Sequence, residues 1–427
     1  MRIGYACQGI GIPDTSLRTC QARNATPALL TEITAHNLGV LKRLLAYNAD
    51  NGIRMFRITS DLVPFGSSPV NPLPWWDIHR DTFEEIGAFI RQQDIRVSMH
   101  PGQYTVLNAK DGDVVHRAVL DLAYHAHILD LLGTGPESKI ILHVGGVYGN
   151  REDALARFAA NYSLLDEAIR RRLIIENDER SYTAGEVLTL GLRLGIPVVF
   201  DNLHHALNPG DESLPDAAWI AAARETWKAQ DGNQKIHYSQ QAPGRRPGSH
   251  SDTIAADVFL QFVRTLKDPK PDIMLEVKDK NLSAVKCVLC ADPPGQRDLV
   301  RSLEQEWARY KYKVLEADPA GYQAIRTLLK EKDSVTGPDF YTLLDQALAA
   351  GVTPGNAENA AQHVWGYFKD KATDKERDAF FQKLSRYRDG KLSLHAVHNA
   401  LYQLASHYGE PYLLQSLYFE DWRGAGA

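Results

Sequence analysis

The stretch KIILHVGG, residues 139–146, is a continuous aliphatic run that stops at a histidine and a pair of glycines. A strand that is apolar on both faces is buried on both, as in a parallel sheet covered by helices. Seven more such runs lie along the chain: RIGYA (2–6), MFRIT (55–59), RVSMH (96–100), LIIEND (173–178), PVVFDNLHH (197–205), QKIHYS (234–239) and DIMLEVK (272–278). Parallel neighbours need crossovers long enough to hold a helix, and the intervals between the runs supply that length. Apolar residues recur there at helical spacing. The first set is Leu30, Ile33, Leu38, Leu41, Leu44 and Leu45 ahead of Asn51-Gly52. Phe83, Ile86 and Ile90 follow, then Leu188 and Leu192 ahead of Gly195-Ile196-Pro197, then Ile254, Val258, Phe262 and Leu266. Eight β-then-α units in about 280 residues predict an α/β fold, a closed (β/α)8 TIM barrel. A doubly wound open sheet is the alternative. It would advertise a glycine-rich phosphate turn, whereas Gly9-Ile10-Gly11 lacks the third glycine and the following helix. With no phosphate-binding loop either, no nucleotide cofactor is expected.

The chain has 427 residues, more than one such barrel needs. KCVLCADPPGQ (286–296) breaks the pattern, so the organisation expected is a barrel domain over 1–285, a linker over 286–296 and a helical domain over 297–427. The last third holds nearly half of the aromatic residues. Large side chains give a small helical domain enough core, with Phe380, Leu384 and Tyr387 as one stripe. A sharper reading takes EWARYKYK (306–313), where bases interleave with aromatics, as a surface that stacks on nucleic acid. A hydrophobic share of 44% and a charged share of 24% exclude a disordered chain. No run is long and apolar enough for a membrane span and the start lacks a secretory pattern, so a cytoplasmic protein without membrane partners is expected. Four cysteines, Cys7, Cys20, Cys287 and Cys290, are too few and scattered for a disulfide framework. The net charge of −5 means that any contact with a polyanion needs a local face or bound cations.

Nearly every run ends in a residue able to bind a metal or move a proton: His100, His143, Glu176, Asp201 with His204, His237 and Glu276, with His250 on the loop after the seventh run. In a (β/α)8 barrel these ends converge on the one face where active sites are built. A single histidine there is usually a packed or capping residue. Five imidazoles and three carboxylates arriving together favour a metal cluster, and without nearby thiolates the set suits catalytic rather than structural ions. Eight donors exceed one ion's coordination, so two or three divalent cations are implied. Glu176 could bridge two of them, as in-line hydrolysis of a phosphate ester requires, and Glu276 joins it as a candidate catalytic carboxylate. Lys235 lies two residues before His237 and shares its face, which places an amine beside the cluster, either as a catalytic group touching substrate or chemically modified. Arg245, Arg246 and Lys278 are candidate phosphate contacts. Gln103 and Tyr104, on the turn after His100, could fill the gap left when bases leave the stack.

These residues sit in a recognisable set of motifs: GYAC (4–7), FRITSDLVPF (56–65), SMHPGQY (98–104), LHVGG (142–146), ENDER (176–180), DNLHHALNPG (201–210), KIHYSQQ (235–241), RPGSHS (246–251) and MLEVKDK (274–280). Through them the chain up to about Lys280 resembles the ultraviolet damage endonucleases, (β/α)8-barrel DNA repair enzymes. The resemblance implies cleavage of the phosphodiester on the 5′ side of cyclobutane dimers and 6-4 photoproducts in damaged double-stranded DNA, opening excision repair for downstream proteins. It implies a cluster of Mn2+ type, with Mg2+, Zn2+ or Co2+ as alternatives, on the eight donors named above. It also implies a carboxylated Lys235 and lesion probing by Gln103, Tyr104 and Tyr5. Two departures stand out: Gln8-Gly9, where many members carry an asparagine, and Ser68, where some carry histidine. The end of the chain resembles, more faintly, an uncharacterised helical domain family, through EWARYKYKVL, HVWGYFKDK and YRDGKLSL. A related barrel acting on abasic sites or sugars, and a damage-binding protein without turnover, are the competing readings.

Overall fold

The computed structural model describes residues 1–210 and 214–420, so the end of the expected helical domain, 421–427, lies outside the described residues. Strands form where the aliphatic runs stand: β1 (Ile3–Ala6), β2 (Met55–Ile58), β3 (Arg96–Met99), β4 (Ile140–His143), β5 (Leu173–Glu176), β6 (Val198–Val199), β7 (Lys235–Tyr238) and β8 (Asp272–Leu275). Every pairing is parallel, in the order β6-β5-β4-β3-β2-β1-β8-β7. A parallel bridge between Asp201 and His237, with His237 N donating to Phe200 O at 3.0 Å, joins β6 to β7. The sheet is therefore a closed TIM barrel, and two of the predicted site residues stand at its seam. An open doubly wound sheet is excluded.

The crossover helices begin and end as their sequences direct. Thr26 caps Pro27–Asp50, accepting from Leu29 N at 3.3 Å with proline in the first turn, and the helix buries all six leucine and isoleucine residues of the predicted stripe. Thr183 caps Ala184–Leu194, which ends at Gly195 with φ +69°. The buried face of that helix is Val187, Leu190 and Gly191, and Leu192 is 57% exposed, so the predicted Leu188/Leu192 stripe is rotated. The close approach at Gly191 explains the rotation: a Cβ there would stand 2.5 Å from Val198 Cγ2, so the helix settles on β6 through its glycine. The helix follows the loop after Glu176, and its cap is reciprocal: Glu186 N donates to Thr183 Oγ1 at 3.3 Å and Thr183 N to Glu186 Oε2 at 2.9 Å. Thr183→Ala is expected to lower stability by about 1 kcal/mol, read from urea unfolding, with no change in the slope of the transition.

The amino-terminal end of the barrel is plugged by paired charges. Lys139 Nζ meets Asp231 Oδ1 at 2.5 Å, and Arg96 meets Asp272 Oδ2 at 3.0 Å while also donating to Asn233 O and Asp231 O. With that floor closed, the cluster at the carboxy-terminal rim is the accessible end.

The chain divides into two compact units. The first, Met1–Gly9, Asp14–Ile254 and Arg264–Val285, carries the barrel; the second takes Ile10–Pro13, Ala255–Val263 and the chain from Lys286 onward. The expected linker 286–296 is corrected: a helix, Asn281–Ala291, runs through most of it, and the next, Gln296–Ala317, begins at its end. Lys286, Cys287 and Cys290 are buried on that first helix, so the break in the pattern is confined to the Pro-Pro-Gly end. In the second unit Tyr312, Val364, Trp365, Phe368, Phe380, Leu384 and Leu401 share one core. Tyr310 and Tyr312 of EWARYKYK are both buried, so that motif builds core before it builds surface.

Candidate metal centre

The two-residue period of a strand sets the site in layers. Ile141, Ile174 and Val199 pack together inside the barrel, and two residues further along the same chains stand His143, Glu176 and Asp201. Ser98 and Lys235 likewise lie one layer beneath His100 and His237, with Lys235 Nζ donating to Ser98 Oγ at 2.7 Å. The loops that follow are held rigidly. Asp178 accepts from the backbone of Arg180 and Tyr182 at 2.8 and 3.1 Å. Gly145 adopts φ +105°, and a Cβ on it would stand 2.3 Å from Asn108 Oδ1, so the LHVGG turn requires glycine.

All eight predicted donors reach one region, and Glu176 lies at its centre. Its Oε2 faces His100 Nε2 at 3.2 Å and His143 Nε2 at 3.7 Å; its Oε1 faces His237 Nδ1 at 2.5 Å and His204 Nδ1 at 3.9 Å. Glu276 lies 3.4 Å from His237 Nδ1 and 3.9 Å from His250 Nε2, and Asp201 Oδ1 lies 3.9 Å from His204 Nδ1. Two donor groups, His100 with His143 and Glu176, and Glu176 with Asp201 and His237, each bring their ligand atoms within 4.8 Å of one another. They share Glu176. His100 Nδ1 lies 3.0 Å from Pro101 O, which fixes the ring with Nε2 turned to the cluster. Asn177 is locked to the Asp201 backbone through both ends of its amide, and so steadies the β6 end.

The electrostatics ask for cations. Three carboxylates are gathered in one buried volume, with Glu176 1% and Asp201 0% exposed. Burial raises the Asp201 carboxyl pKa, and Glu176 and Glu276 add to the rise. Burial opposes the charge on Glu176, but His237 and His143 outweigh it and hold the group well below the usual carboxylate range. For His204 burial is likewise outweighed, by Asp201 and Glu176, and its pKa rises. His237 goes the other way, down to about 4, through burial. Asp201 Oδ2 and His143 Nδ1 are buried with no hydrogen-bond partner among the described residues. A buried carboxylate oxygen without a donor is costly, so the donor set fits divalent cations.

The other predicted residues divide. Lys235 enters the barrel as expected, 1% exposed, but its amine lies beneath the cluster rather than at the mouth. Burial first, then Arg57 and Arg96, drive its pKa well below that of an ordinary lysine. Gln103 and Tyr104 are exposed on the rim loop, Tyr104 at 83%. Arg245 and Arg246 are exposed on the loop before His250. Lys278 is held by Asp252 at 2.9 Å. Tyr5 is a correction: it is wholly buried against Phe56, ring centroids 5.2 Å apart, so it does not stand where a lesion could touch it. Ser68 Oγ accepts from Val70 N at 3.3 Å and serves its own turn.

Arg57 was not singled out by the sequence patterns. Its Nη2 lies 2.5 Å from Glu276 Oε1 and 3.1 Å from His237 Nε2, and the residue is 8% exposed. It neutralises one of the three carboxylates from inside the barrel. The available signal was a charged residue inside an aliphatic run, the same one that marks Lys235.

Fold and site together define a closed parallel barrel whose carboxy-terminal rim carries a cluster of metal-ligating side chains. Comparison with known proteins narrows that class. Residues 1–307 match the family described as UV-endonuclease UvdE, and the chain belongs to that family. It is 36% identical over 385 residues to the UV DNA damage endonuclease of Clostridium perfringens (strain 13 / Type A), covering 90% of this chain and 92% of that one. It is 31% identical over 298 residues to the UV DNA damage endonuclease of Bacillus cereus (strain Q1), covering 67% of this chain and 93% of that one. The crystal structure of SacUVDE superposes with a TM-score of 0.64 at 38% identity, over 67% of this chain and 96% of that one. Residues 311–422 match a protein family of unknown function, DUF1722. Among the described residues no helix is long and apolar enough to cross a membrane.

Proposed function

We propose that this chain is a DNA repair endonuclease that hydrolyses the phosphodiester bond 5′ to ultraviolet photoproducts in double-stranded DNA. In this reading two or three divalent cations, Mn2+ foremost, are held by His100, His143, Glu176, Asp201, His204, His237, His250 and Glu276. The observation that carries the reading is Glu176, whose two oxygens face three histidines at strand ends and a fourth, His204, in the first turn of the helix Asn202–Leu207. When bound, divalent cations would supply Lewis acidity, bringing the pKa of a water towards neutrality and stabilising charge on the attacking and leaving oxygens.

The chain's own groups have separable tasks. Glu176 is shared between the two donor groups. Arg57 orients Glu276 and limits the repulsion among the three acids. Lys235, enclosed beneath the cluster beside Ser98, is set up to take up carbon dioxide as a carbamate, releasing one proton; the product would add negative charge below the cluster. Bicarbonate labelled with a carbon isotope should then give a carbamate resonance that Lys235→Ala removes. Arg245 and Arg246 reach for phosphates at the rim, and Gln103 and Tyr104 enter the duplex at the lesion. Tyr104→Ala is expected to weaken binding of irradiated duplex by about 1–3 kcal/mol, the worth of one stacked base. Anisotropy titration of a cleavage-defective chain would measure it, with the unirradiated duplex much less affected.

The reading is tested by end-labelled duplexes carrying a cyclobutane dimer, a 6-4 product or an abasic site, incubated with Mn2+, Mg2+, Zn2+, Co2+ or a chelator. Nicking 5′ to the photoproducts that the chelator abolishes is the expected result. Binding without scission in every metal, or a strong preference for the abasic duplex, would replace it.

A further inference from the structure

One surface of the second unit joins aromatic rings to unneutralised cations. Trp307 and Lys311 are four residues apart on the helix Gln296–Ala317, and Tyr322 and Arg326 are four apart on the next, Pro319–Leu328, so each pair shares a helix face. The Trp307 and Tyr322 rings are 5.2 Å apart, and the Arg326 guanidinium lies 5.7 Å from the Tyr322 ring. Lys311 Nζ lies 4.6 Å from the Tyr412 ring, which stacks on Tyr367 at 5.9 Å and 9°. Two hydrogen bonds keep the platform rigid: Tyr412 Oη donates to Ala308 O at 2.9 Å, and Tyr312 Oη to Tyr367 Oη at 2.9 Å. Trp307, Lys311, Tyr322, Tyr367 and Tyr412 are half-buried and Arg326 is exposed.

Lysine and arginine stems often lie on aromatic rings merely to cover them. Such packing normally leaves each charge a carboxylate or open water. Here, among the described residues, neither Lys311 nor Arg326 has a carboxylate partner, and burial, then Arg326, lowers the Lys311 pKa. The arrangement lacks an anion. An acidic peptide would supply one without using the half-buried rings, whereas a nucleic acid strand supplies phosphates and flat bases together.

We infer that this surface binds single-stranded DNA, with phosphates on Lys311 and Arg326 and bases against Trp307 and Tyr322. The choice of DNA over RNA rests on the proposed function; the chemistry of phosphate and base does not.

The test titrates fluorescent oligothymidylate into the full chain, in Lys311→Gln/Arg326→Gln, Trp307→Ala and Trp307→Phe forms against the parent. The double variant is expected to bind roughly ten-fold more weakly, and its log–log salt slope to be shallower by about 1.4, two phosphate contacts at about 0.7 each. Trp307→Ala is expected to lose roughly ten-fold as well and Trp307→Phe to keep most of the affinity, because a phenyl ring still stacks. Unchanged affinity in the double variant overturns the inference. So does equal weakening towards polyglutamate with no effect of Trp307→Ala, which would mark a surface for acidic chains. Preference for oligouridylate over oligothymidylate overturns the choice of DNA. Nicking of irradiated duplex by the double variant is expected to survive, so a chain that fails to nick counts against the barrel's function and not against this surface.

Discussion

Glu176→Gln is expected to leave the fold intact and to lower nicking of irradiated duplex by roughly three orders of magnitude or more, the scale on which loss of charge stabilisation at a phosphoryl centre is felt. The substitution changes almost no volume and removes one negative charge. That charge is the one both compact donor groups share, with His100 and His143 on one oxygen and His237 and His204 on the other. A glutamine presents a single oxygen, and its NH2 turns a donor towards one pair of rings. The loss should therefore appear as fewer bound cations per chain as well as a lower kcat. Equilibrium dialysis against Mn2+ beside single-turnover nicking would read both. A variant that nicks at the parental rate would remove Glu176 from the centre of the account.

The second large effect is expected at Arg57. Arg57→Ala leaves Glu276 without its 2.5 Å partner, in a volume that also holds Glu176 and Asp201. Removing one member of a buried ion pair typically costs 3–5 kcal/mol, and roughly that loss is expected in urea unfolding without added metal. Divalent cations bind only the folded arrangement, so Mn2+ at about 100 times its dissociation constant should return about 2.7 kcal/mol. Arg57→Lys should recover only part of the loss, because an ammonium is a point charge that does not reproduce a guanidinium spanning Glu276 and His237. Stability of Arg57→Ala equal to the parent, with or without Mn2+, would contradict the role assigned to it.

The strands and the donors were legible for one reason. Each aliphatic run ends where water and ligands begin, so a polar residue at that point stands out, as His143 does in KIILHVGG. Period-two spacing also placed Lys235 on the face of His237. What was not legible follows from the burial of both strand faces. An apolar pattern then does not say which face looks inward. Tyr5, a lesion probe only by resemblance, packs outward beside Phe56. Arg57 makes its contacts with residues 180 and 219 positions away, and nothing local announces them. The helix at 281–291 was hidden by the prolines just beyond it.

The claim beneath all of this is that the convergent donors hold divalent cations, and anomalous diffraction from crystals of the full chain grown with Mn2+ tests it most directly. At least two manganese peaks are expected to flank the Glu176 carboxylate, one on the side of His100 and His143 and one on the side of Asp201 and His237. Manganese bound only elsewhere, with the Glu176 carboxylate contacted by protein alone, would contradict it.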